Sequence, residues 1–433
     1  MLCNNIGVND AGHLTFAGQD TVALAAKHQT PLYLMDEDKI RANCRLYKEA
    51  MSAYLGEGSY PLYASKAASF KHMYEIMKEE DMSIDLVSSG EICTAMKAGF
   101  PMERSFFHGN NKTDFDIAYA MDCGVGHFVV DNLTELEAVN AEAARRCLRQ
   151  KILLRITPGI DPHTYAAVAT GKVDSKFGVA IETGQAEGFV RRALELPALE
   201  LLGYHCHVGS QVFDEDGTVY LDAADIFLRF SAEMNRLCGF LPAVLNLGGG
   251  FGVRYTESDP QVDIPGNIRT IADHIRQRSA ELEIPMPAIL MEPGRSIVAD
   301  AGMTLYSVGT VKEVKGYKNY VSIDGGMTDN PRFALYGSKY TLLSANAPLS
   351  PADFPCDVVG RCCESGDIIQ PGVSLPRPER GDVIAVCTTG AYNYSMASNY
   401  NRIPRPAIVM LREGQDFVAV RRESLEDLLR NDV

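Results

Sequence analysis

Lys66, His207 and Glu292 are chemically reactive side chains that each stand at the end of a short apolar run of the sequence. Lys66 ends the run YPLYAS, and an amine at the rim of a core becomes a nucleophile when dry surroundings remove its proton. A lysine at a strand end more often extends its aliphatic stem into water, and taken alone this position is typical of that case. The imidazole and the carboxylate add a flat ring and a negative charge to the chemistry available.

Three successive glycines, Gly248, Gly249 and Gly250, form a candidate anion site. Their backbone N–H groups can converge on an anion, and a helix amino terminus nearby adds a favourable field. An ordinary tight turn is the alternative, since glycines are commonest there. Ser210 and Arg295 follow neighbouring apolar runs and would supply further donors, which favours a phosphate site.

Pyridoxal phosphate is a cofactor that would use all of these groups. Its aldehyde forms a Schiff base with a lysine, its phosphate accepts hydrogen bonds from backbone donors, and its ring nitrogen needs an acidic partner to stay protonated. We therefore expect Lys66 to bind the aldehyde in dry surroundings, His207 to stack on the ring and Glu292 to face the ring nitrogen.

Eight short apolar runs alternate with amphipathic stretches and predict the elements that must position these residues. The predicted strands are YPLYAS, SIDLVSS, SFFHGNN, HFVVDN, KILLRI, LLGYHCHVG, VLNLGGG and AILMEPG. Eight strand–helix units over roughly 240 residues are typical of an α/β fold of the (β/α)8 or TIM-barrel type. A doubly wound open sheet is the alternative, but such sheets usually have about six strands and a GxGxxG turn after the first strand, which is missing here.

Polar residues collect at the predicted carboxyl ends of these strands, where barrel enzymes place their active sites. Asp85 lies in strand two, His108 follows strand three, Arg155 ends strand five and Gly294 lies in the EPGR turn after strand eight. We expect Asp85 and Gly294 to belong to the cofactor site. Helix capping is the alternative for any single strand-end residue of this kind.

Beyond Arg295 the pattern changes to alternating apolar and polar residues with turn signals, which predicts a second, mostly β domain. We expect the barrel to span 36–298, and residues 1–35 to join 299–433 in the β-rich domain.

Composition and charge exclude several classes of partner. The net charge is −15 and no basic block offsets it, which argues against nucleic acid or a membrane surface but not against a small anionic substrate. The eleven cysteines form no CxxC pair, which favours reduced thiols. We see no signal-peptide pattern and no apolar run near the roughly 20 residues that span a bilayer, and we expect a cytoplasmic protein.

The order of these motifs resembles the fold-type III pyridoxal-phosphate decarboxylases, which are alanine racemase-like in plan, and within them the diaminopimelate decarboxylases. The stretches that carry the resemblance are TPLYLMDEDKIRAN, YASKA, SSGEI, HGNNKT, DPHTYAAVATGKVDSKFGV, HCHVGSQ, NLGGGFG, MEPGRSIV, CCESGD and TTGAYNYSMASNYN. EPGR or GGG alone is a weak signal, whereas all of these stretches in this order are highly specific. The family commonly has YAVKAN around the lysine, where Ser65 and Ala68 stand here.

The resemblance implies the roles given above for the lysine, the histidine, the glutamate and the phosphate donors. It further implies that Tyr392 reaches cofactor and substrate, that Cys363 reprotonates the carbanion, and that Glu364 meets the distal ammonium of the substrate. In this family both of the last two residues come from the second subunit, so we expect a homodimer with a shared active site.

A distal carboxylate on the substrate would explain Arg332 and Tyr336 in NPRFALY, together with Arg295, because an arginine fork pairs with a carboxylate. The alternative for Arg332 is a surface salt bridge, which contributes little. The resemblance therefore implies decarboxylation of the D-configured centre of meso-2,6-diaminopimelate to L-lysine and CO2, the last step of lysine biosynthesis.

Three other functions stay open at this point. An amino-acid racemase would need a tyrosine base opposite the lysine, and Glu292 with CESGD favours decarboxylation instead. A related decarboxylase could act on carboxynorspermidine, ornithine or a carrier-bound glutamyl group, although the joint presence of Arg332, Tyr336 and Glu364 counts against it. A non-catalytic pyridoxal-phosphate binder is usually a lone barrel or has lost the catalytic lysine or cysteine.

Overall fold

Two structural units share the chain. The structure, a computed structural model, describes residues 2–160, 174–213 and 217–433. A β unit comprises the residues up to 42 together with 253–260 and 297–433, and a barrel unit comprises 43–252 and 261–296. The domain boundaries inferred from sequence stay a prediction.

The amino-terminal part of the β unit is built from short elements. They are strands β1 (Ile6–Val8), β2 (Leu14–Phe16) and β3 (Gln19–Asp20), helix α1 (Thr21–His28) and strand β4 (Leu32–Asp36), followed by helix α2 (Glu37–Leu55). The side chain of Asp20 accepts hydrogen bonds from the N–H groups of Val22 and Ala23, which fixes where α1 begins.

The barrel unit alternates strands with helices, as the sequence pattern predicts. Its strands are β5 (Tyr60–Ala64), β6 (Ser83–Leu86), β7 (Ser105–Phe107), β8 (His127–Val130), β9 (Gln150–Thr157), the short β10 (Val179–Ala180), β11 (Leu199–His205), β12 (Val244–Asn246) and β13 (Ala288–Met291). Its helices are α3 (Lys71–Glu79), α4 (Ser89–Lys97), α5 (Asp114–Asp122), α6 (Leu133–Arg145), α7 (Gln185–Glu195), α8 (Thr218–Cys238) and α9 (Ile264–Glu281), with α10 (Arg295–Val298) after β13. Short 3-10 turns cover Ser65–Ala67 and Met102–Arg104.

The sheet of this unit closes on itself. Strands β13 and β5 pair in parallel, and so do β8 and β9, so that in the described residues a ring of eight strands forms with β10 attached to β9. The predicted eight strands and the predicted barrel are confirmed. Because all eight strands are parallel, their carboxyl ends meet at one rim, and the loops that follow them become neighbours.

The carboxy-terminal part of the β unit is mostly sheet, as predicted. It contains β14 (Gly302–Val314), β15 (Lys318–Ile323), helix α11 (Arg332–Tyr336), β16 (Leu342–Ser344), β17 (Phe354–Val359), β18 (Ile368–Leu375), β19 (Val383–Cys387), β20 (Ala407–Arg412), β21 (Gln415–Val420), helix α12 (Leu425–Leu429) and 3-10 turns at Tyr394–Met396 and Tyr400–Arg402. Strand β4 lies between β14, to which it is antiparallel, and β20, to which it is parallel. The amino-terminal segment thus supplies a strand to this sheet, as expected.

Gly203 marks a point of close backbone approach inside the barrel. The register between β11 and β9 shifts between Leu201 and Gly203. A Cβ at Gly203 would overlap the carbonyl oxygen of Val244 on the neighbouring strand. That oxygen belongs to the ladder of the barrel and has no room to move aside.

We expect Gly203→Ala to lower the free energy of unfolding by about 3 kcal/mol, because the added methyl group overpacks a rigid backbone contact. Urea denaturation followed by circular dichroism measures the change. The matched control is Gly188→Ala on helix α7, where no described atom lies within 4 Å of the added methyl group. That change should raise stability by up to about 1 kcal/mol, because alanine favours helix. An unchanged midpoint for Gly203→Ala contradicts the prediction.

Candidate active site

Lys66 lies in the 3-10 turn that follows β5, between buried Ser65 and Ala67. Its own side chain is exposed. The expectation of dry surroundings is therefore wrong for the chain by itself, because the residue stands beyond the last β5 position, at the open rim. The backbone before it is fixed from a neighbouring strand end, since the N–H of Ala64 donates to the carbonyl of Pro293 at 3.0 Å.

Asp85, on β6, is a buried carboxylate beside this turn. Its Oδ1 accepts the backbone N–H of Ser65 at 3.0 Å, whereas Oδ2 has no hydrogen-bond partner among the described residues. Burial raises the pKa of Asp85, although the charges of Lys66 and His108 oppose the rise. Asp85 thus holds the lysine turn and presents one further acceptor oxygen.

Glu292, directly after β13, is also buried, but its pKa is lowered whereas that of Asp85 is raised. Its Oε1 lies 3.0 Å from His108 Nε2 and 2.8 Å from Asn246 Nδ2, and its Oε2 lies 3.2 Å from His205 Nε2. Burial opposes ionisation, but His108 and His205 outweigh it and hold the pKa of Glu292 well below its usual range. Glu292 is therefore an anion at neutral pH.

His207 follows β11 and is a neutral imidazole. Burial lowers its pKa well below the usual value, and the charges of Lys66 and Arg155 act in the same direction. Its Nδ1 accepts the N–H of Gly249 at 3.3 Å, which places the proton of the neutral ring on Nε2. A neutral flat ring of this kind suits stacking on an aromatic cofactor.

The glycine stretch after β12 could not carry side chains. A Cβ at Gly249 would overlap the carbonyl oxygen of Glu292, and Gly250 has a φ of +128°. The N–H groups of Gly248 and Gly249 donate within the chain, to Asn246 Oδ1 at 2.9 Å and His207 Nδ1 at 3.3 Å. The expected convergence of three amides on one anion is therefore wrong for two of them, because these two amides fix the neighbouring loops instead.

Ser210 and Arg295 are brought together, as the phosphate hypothesis requires. Arg295 Nη2 donates to Ser210 Oγ at 2.7 Å, which joins the loop after β11 to the start of α10. Gly294 precedes this arginine, and a Cβ there would lie 2.8 Å from the Cβ of Ala64. A glycine is needed at this position because the turn passes against the end of β5.

In the β unit, Arg332 is the first residue of α11 and is buried. The centre of its guanidinium lies 4.6 Å from the ring centroid of Tyr336 and 5.2 Å from that of Tyr392. Among the described residues it has no carboxylate within ion-pair distance, and its Nε lacks a hydrogen-bond partner. The surface salt bridge considered above is therefore wrong for the described part of the chain.

Cys363 and Glu364 lie on an exposed loop between β17 and β18. The backbone N–H of Cys363 donates to Asn401 Oδ1 at 2.7 Å, and the carboxylate of Glu364 accepts the N–H of Gly366 at 3.2 Å. These contacts fix the loop backbone and leave the thiol on the surface of the unit.

Asp367 ties this loop to the one that precedes Arg332. Its buried carboxylate accepts the N–H of Met327 at 2.6 Å through Oδ1 and that of Cys362 at 2.7 Å through Oδ2. Side chains at Gly326 and Gly360 would collide with this carboxylate, so the two glycines make room for it. One side chain thus sets the spacing of two loops that carry predicted site residues.

Comparison with known proteins identifies the family. The family model described as "Pyridoxal-dependent decarboxylase, pyridoxal binding domain" matches residues 37–299. The chain is 44% identical over 418 residues to the diaminopimelate decarboxylase of Bacillus methanolicus, which covers 96% of each chain. The chain belongs to the diaminopimelate decarboxylase family.

Solved structures agree with this family. A diaminopimelate decarboxylase from M. jannaschii, in complex with L-lysine, has a TM-score of 0.90 at 31% identity and covers 99% of this chain and 98% of that chain. A lysine/ornithine decarboxylase from Vibrio vulnificus, in complex with putrescine, has a TM-score of 0.75 at 27% identity over 90% of this chain and 97% of that chain. The resemblance inferred from the sequence motifs is confirmed.

Within this diaminopimelate decarboxylase fold, the predicted site residues fall into two groups. The rim of the barrel unit holds Lys66, Asp85, His207, Ser210, Gly248, Gly249, Gly250, Glu292, Gly294 and Arg295. The β unit holds Arg332, Tyr336, Cys363, Glu364 and Tyr392. The individual roles of these residues stay predictions. The motif DPHTYAAVATGKVDSKFGV lies mostly outside the described residues.

Sequence reasoning assigned no role to three barrel residues that contact Glu292, namely His108, His205 and Asn246, or to Asp367 in the β unit. His205 could have been found, because alternation along a strand puts it on the same face as His207. None of the helices in the described residues combines the length and the apolarity that a bilayer crossing requires.

We expect Asp367→Asn to loosen both loops that Asp367 joins. The asparagine side chain has one oxygen and one NH2 group, so one of the two backbone N–H donors would face an N–H instead of an acceptor. The hydrogen bond that remains would also lose its charge assistance. Hydrogen exchange of peptides covering 325–332 and 360–367 should become roughly tenfold faster in at least one of them. Asp382→Asn is the control, since Asp382 accepts only the N–H of Glu379 in an exposed turn. Wild-type exchange in both peptides contradicts this account.

Proposed function

We propose that this protein decarboxylates meso-2,6-diaminopimelate to L-lysine and CO2 with pyridoxal phosphate as cofactor, the last step of lysine biosynthesis. The observation that carries the proposal is the 44% identity to a diaminopimelate decarboxylase along 96% of both chains. The L-lysine held by the M. jannaschii enzyme is the product of the same reaction. The cytoplasmic location stays a prediction.

The barrel rim fits this cofactor. Pyridoxal phosphate, when bound, supplies an aldehyde that links to amines and a protonated ring that accepts the electron pair left on the carbon when CO2 departs. Glu292, an anion, would face the ring nitrogen, and neutral His207 would offer a flat surface for the ring. Asp85 Oδ2 adds a buried acceptor that no described residue uses.

The phosphate would be held by Ser210 and Arg295, which already contact each other, and by the amide of Gly250. Gly248 and Gly249 would act indirectly, since their amides fix Asn246 and the ring of His207. Lys66 would hold the aldehyde carbon and would release it when the substrate amine arrives. Because Lys66 is exposed, its amine is accessible to both the cofactor and the substrate.

Substrate choice follows from the charge of Arg332. A buried guanidinium without an anionic partner is costly, so its retention between two aromatic rings supports an anionic ligand. The rings of Tyr336 and Tyr392 hold the plane of the guanidinium, which suits two-pronged binding of a carboxylate. meso-Diaminopimelate has a distal carboxylate, whereas ornithine and lysine have only a distal ammonium. Arg295 is the second arginine that we assign to the substrate, and Glu364 would meet the distal ammonium.

Cys363 would deliver the proton to the carbon that has lost CO2. We further propose that Cys363 and Glu364 serve the active site of a second subunit in a homodimer. Their exposure in the single chain supports this part of the proposal, since a group that acts on a partner has to lie on the surface of its own unit.

We expect Lys66→Ala and Cys363→Ala each to abolish most release of lysine and CO2 from meso-diaminopimelate. Loss of a general acid typically costs 10²- to 10⁴-fold, and Lys66→Ala should also give no cofactor adduct after borohydride trapping. Lys71→Ala, an exposed lysine on α3, and Cys362→Ala are the controls. Burial raises the pKa of the Cys362 thiol to about 12, which makes it a poor proton donor.

Mixing the two inactive variants tests the shared site. If Lys66 and Cys363 come from different subunits, random reassociation of dimers should restore roughly a quarter of wild-type activity. A mixture that stays inactive argues against sharing, and an unchanged rate for Cys363→Ala removes the thiol as proton donor.

We expect Arg332→Met to raise KM for meso-diaminopimelate by roughly 10²-fold with a smaller effect on kcat, because the buried charge partner of the distal carboxylate is lost. Arg332→Lys should recover only part of this, since an ammonium lacks the two-pronged fork. Arg380→Met is the control, because the exposed Arg380 donates only to the carbonyl of Gly309. The activity of Arg332→Met on meso-diaminopimelate is also compared with its activity on L-lysine and on ornithine. If this ratio is the same as in wild type, specificity resides in other residues.

A further inference from the structure

Glu292 is contacted by polar side chains from three different strand ends, by hydrogen bonds from His205 and Asn246 and at ion-pair distance by His108. His108 follows β7, His205 ends β11 and Asn246 ends β12. All three are buried, and together they contact both oxygens of the carboxylate, at 3.0 Å, 3.2 Å and 2.8 Å respectively. The two imidazole rings meet edge to face with centroids 4.9 Å apart, so that each limits the rotation of the other.

His205 approaches the carboxylate as a neutral ring. Burial lowers the pKa of His205 to about 4, although Glu292 acts to raise it. Its Nε2 lies on the Glu292 side, whereas its Nδ1 has no hydrogen-bond partner among the described residues. This arrangement requires the tautomer with the proton on Nε2, which donates to the carboxylate.

A neutral donor and a charged donor would have different effects on this site. Imidazolium ions beside Glu292 would cancel its negative charge, and a cancelled carboxylate attracts a proton on the cofactor ring only weakly. Neutral N–H donors orient the carboxylate and still leave its charge to pair with that proton. The other charged groups whose fields reach this cluster are Asp85, Asp131 and Arg155.

We propose that His108 and His205 are positioning residues that hold Glu292 in one orientation and thereby keep the ring nitrogen of bound pyridoxal phosphate protonated. The proposal rests on the proposed function, because it concerns the same cofactor. It adds two residues to the machinery that tunes the cofactor, neither of which touches the reacting carbon.

The test is the protonation state of the ring nitrogen in the holoprotein. Wild type and the variants His205→Gln, His205→Phe, His108→Gln and His108→Phe are loaded with pyridoxal phosphate that is ¹⁵N-labelled in the ring, and the nitrogen chemical shift is measured without substrate. Glutamine keeps a side-chain N–H donor at similar reach, whereas phenylalanine keeps the ring shape and removes the donor.

We expect a pyridinium signal in wild type and in the glutamine variants, and its loss or a shift toward neutral pyridine in the phenylalanine variants. kcat on meso-diaminopimelate should fall on the order of 10²-fold in His205→Phe and recover largely in His205→Gln. A pyridinium signal retained in both phenylalanine variants overturns the proposal, since a merely structural role would lower activity without changing the ring nitrogen.

A second measurement needs no substitution and no cofactor. ¹⁵N-histidine labelling of the wild-type chain should show His205 neutral near pH 7, with its proton on Nε2. A charged ring, or a proton on Nδ1, overturns the proposal even where a variant fails to fold. If the chain takes up no pyridoxal phosphate, the proposed function is refuted. The histidine measurement distinguishes this outcome from a failure of the positioning proposal, because it requires no cofactor.

Discussion

The negative charge of Glu292, held in a buried place where water cannot solvate it, is the constraint on which the barrel rim depends. A carboxylate there would take up a proton if burial acted alone. Polar side chains from three strand ends contact the carboxylate, and two of them, His108 and His205, lower its pKa enough to reverse this outcome. Asn246 contacts Glu292 with its amide nitrogen and accepts the N–H of Gly248 with its amide oxygen. The side chain of Asn246 thus contacts the charged carboxylate of Glu292 and also holds the glycine turn in place.

The fold could be predicted because it depends on local patterns of apolar and polar residues. Each barrel strand is a short apolar run followed by an amphipathic stretch, and eight such units leave little choice of architecture. Parallel closure then makes neighbours of residues such as Lys66 and Asp85 without any knowledge of side-chain contacts. The β domain was predicted by the same means, from alternation rather than helical periodicity.

The contacts inside the site could not be predicted, because they depend on which rotamer and which strand register bring two polar atoms together. His108 and Glu292 are far apart in sequence and meet only across the closed barrel. The glycine amides were assigned to an anion, but Gly249 donates to His207 instead. Lys66 was expected in dry surroundings, yet it lies beyond the strand end and is exposed. Asp367 ends the CCESGD motif, and only the structure shows the two backbone donors that it joins.

Strand β4 has a consequence for how the chain is assembled during synthesis. Met35 pairs on one side with Gly302 and on the other with Met410, so both neighbours of this early strand are made late. The barrel strands, in contrast, emerge consecutively and can pair as they appear. The mixed sheet can close only after nearly the whole polypeptide has left the ribosome, because both partners of β4 are synthesised late. Contacts between residues this far apart in sequence also form slowly. Until then both edges of β4 stay unpaired, and an unpaired apolar strand is a site at which one chain can pair with another and aggregate.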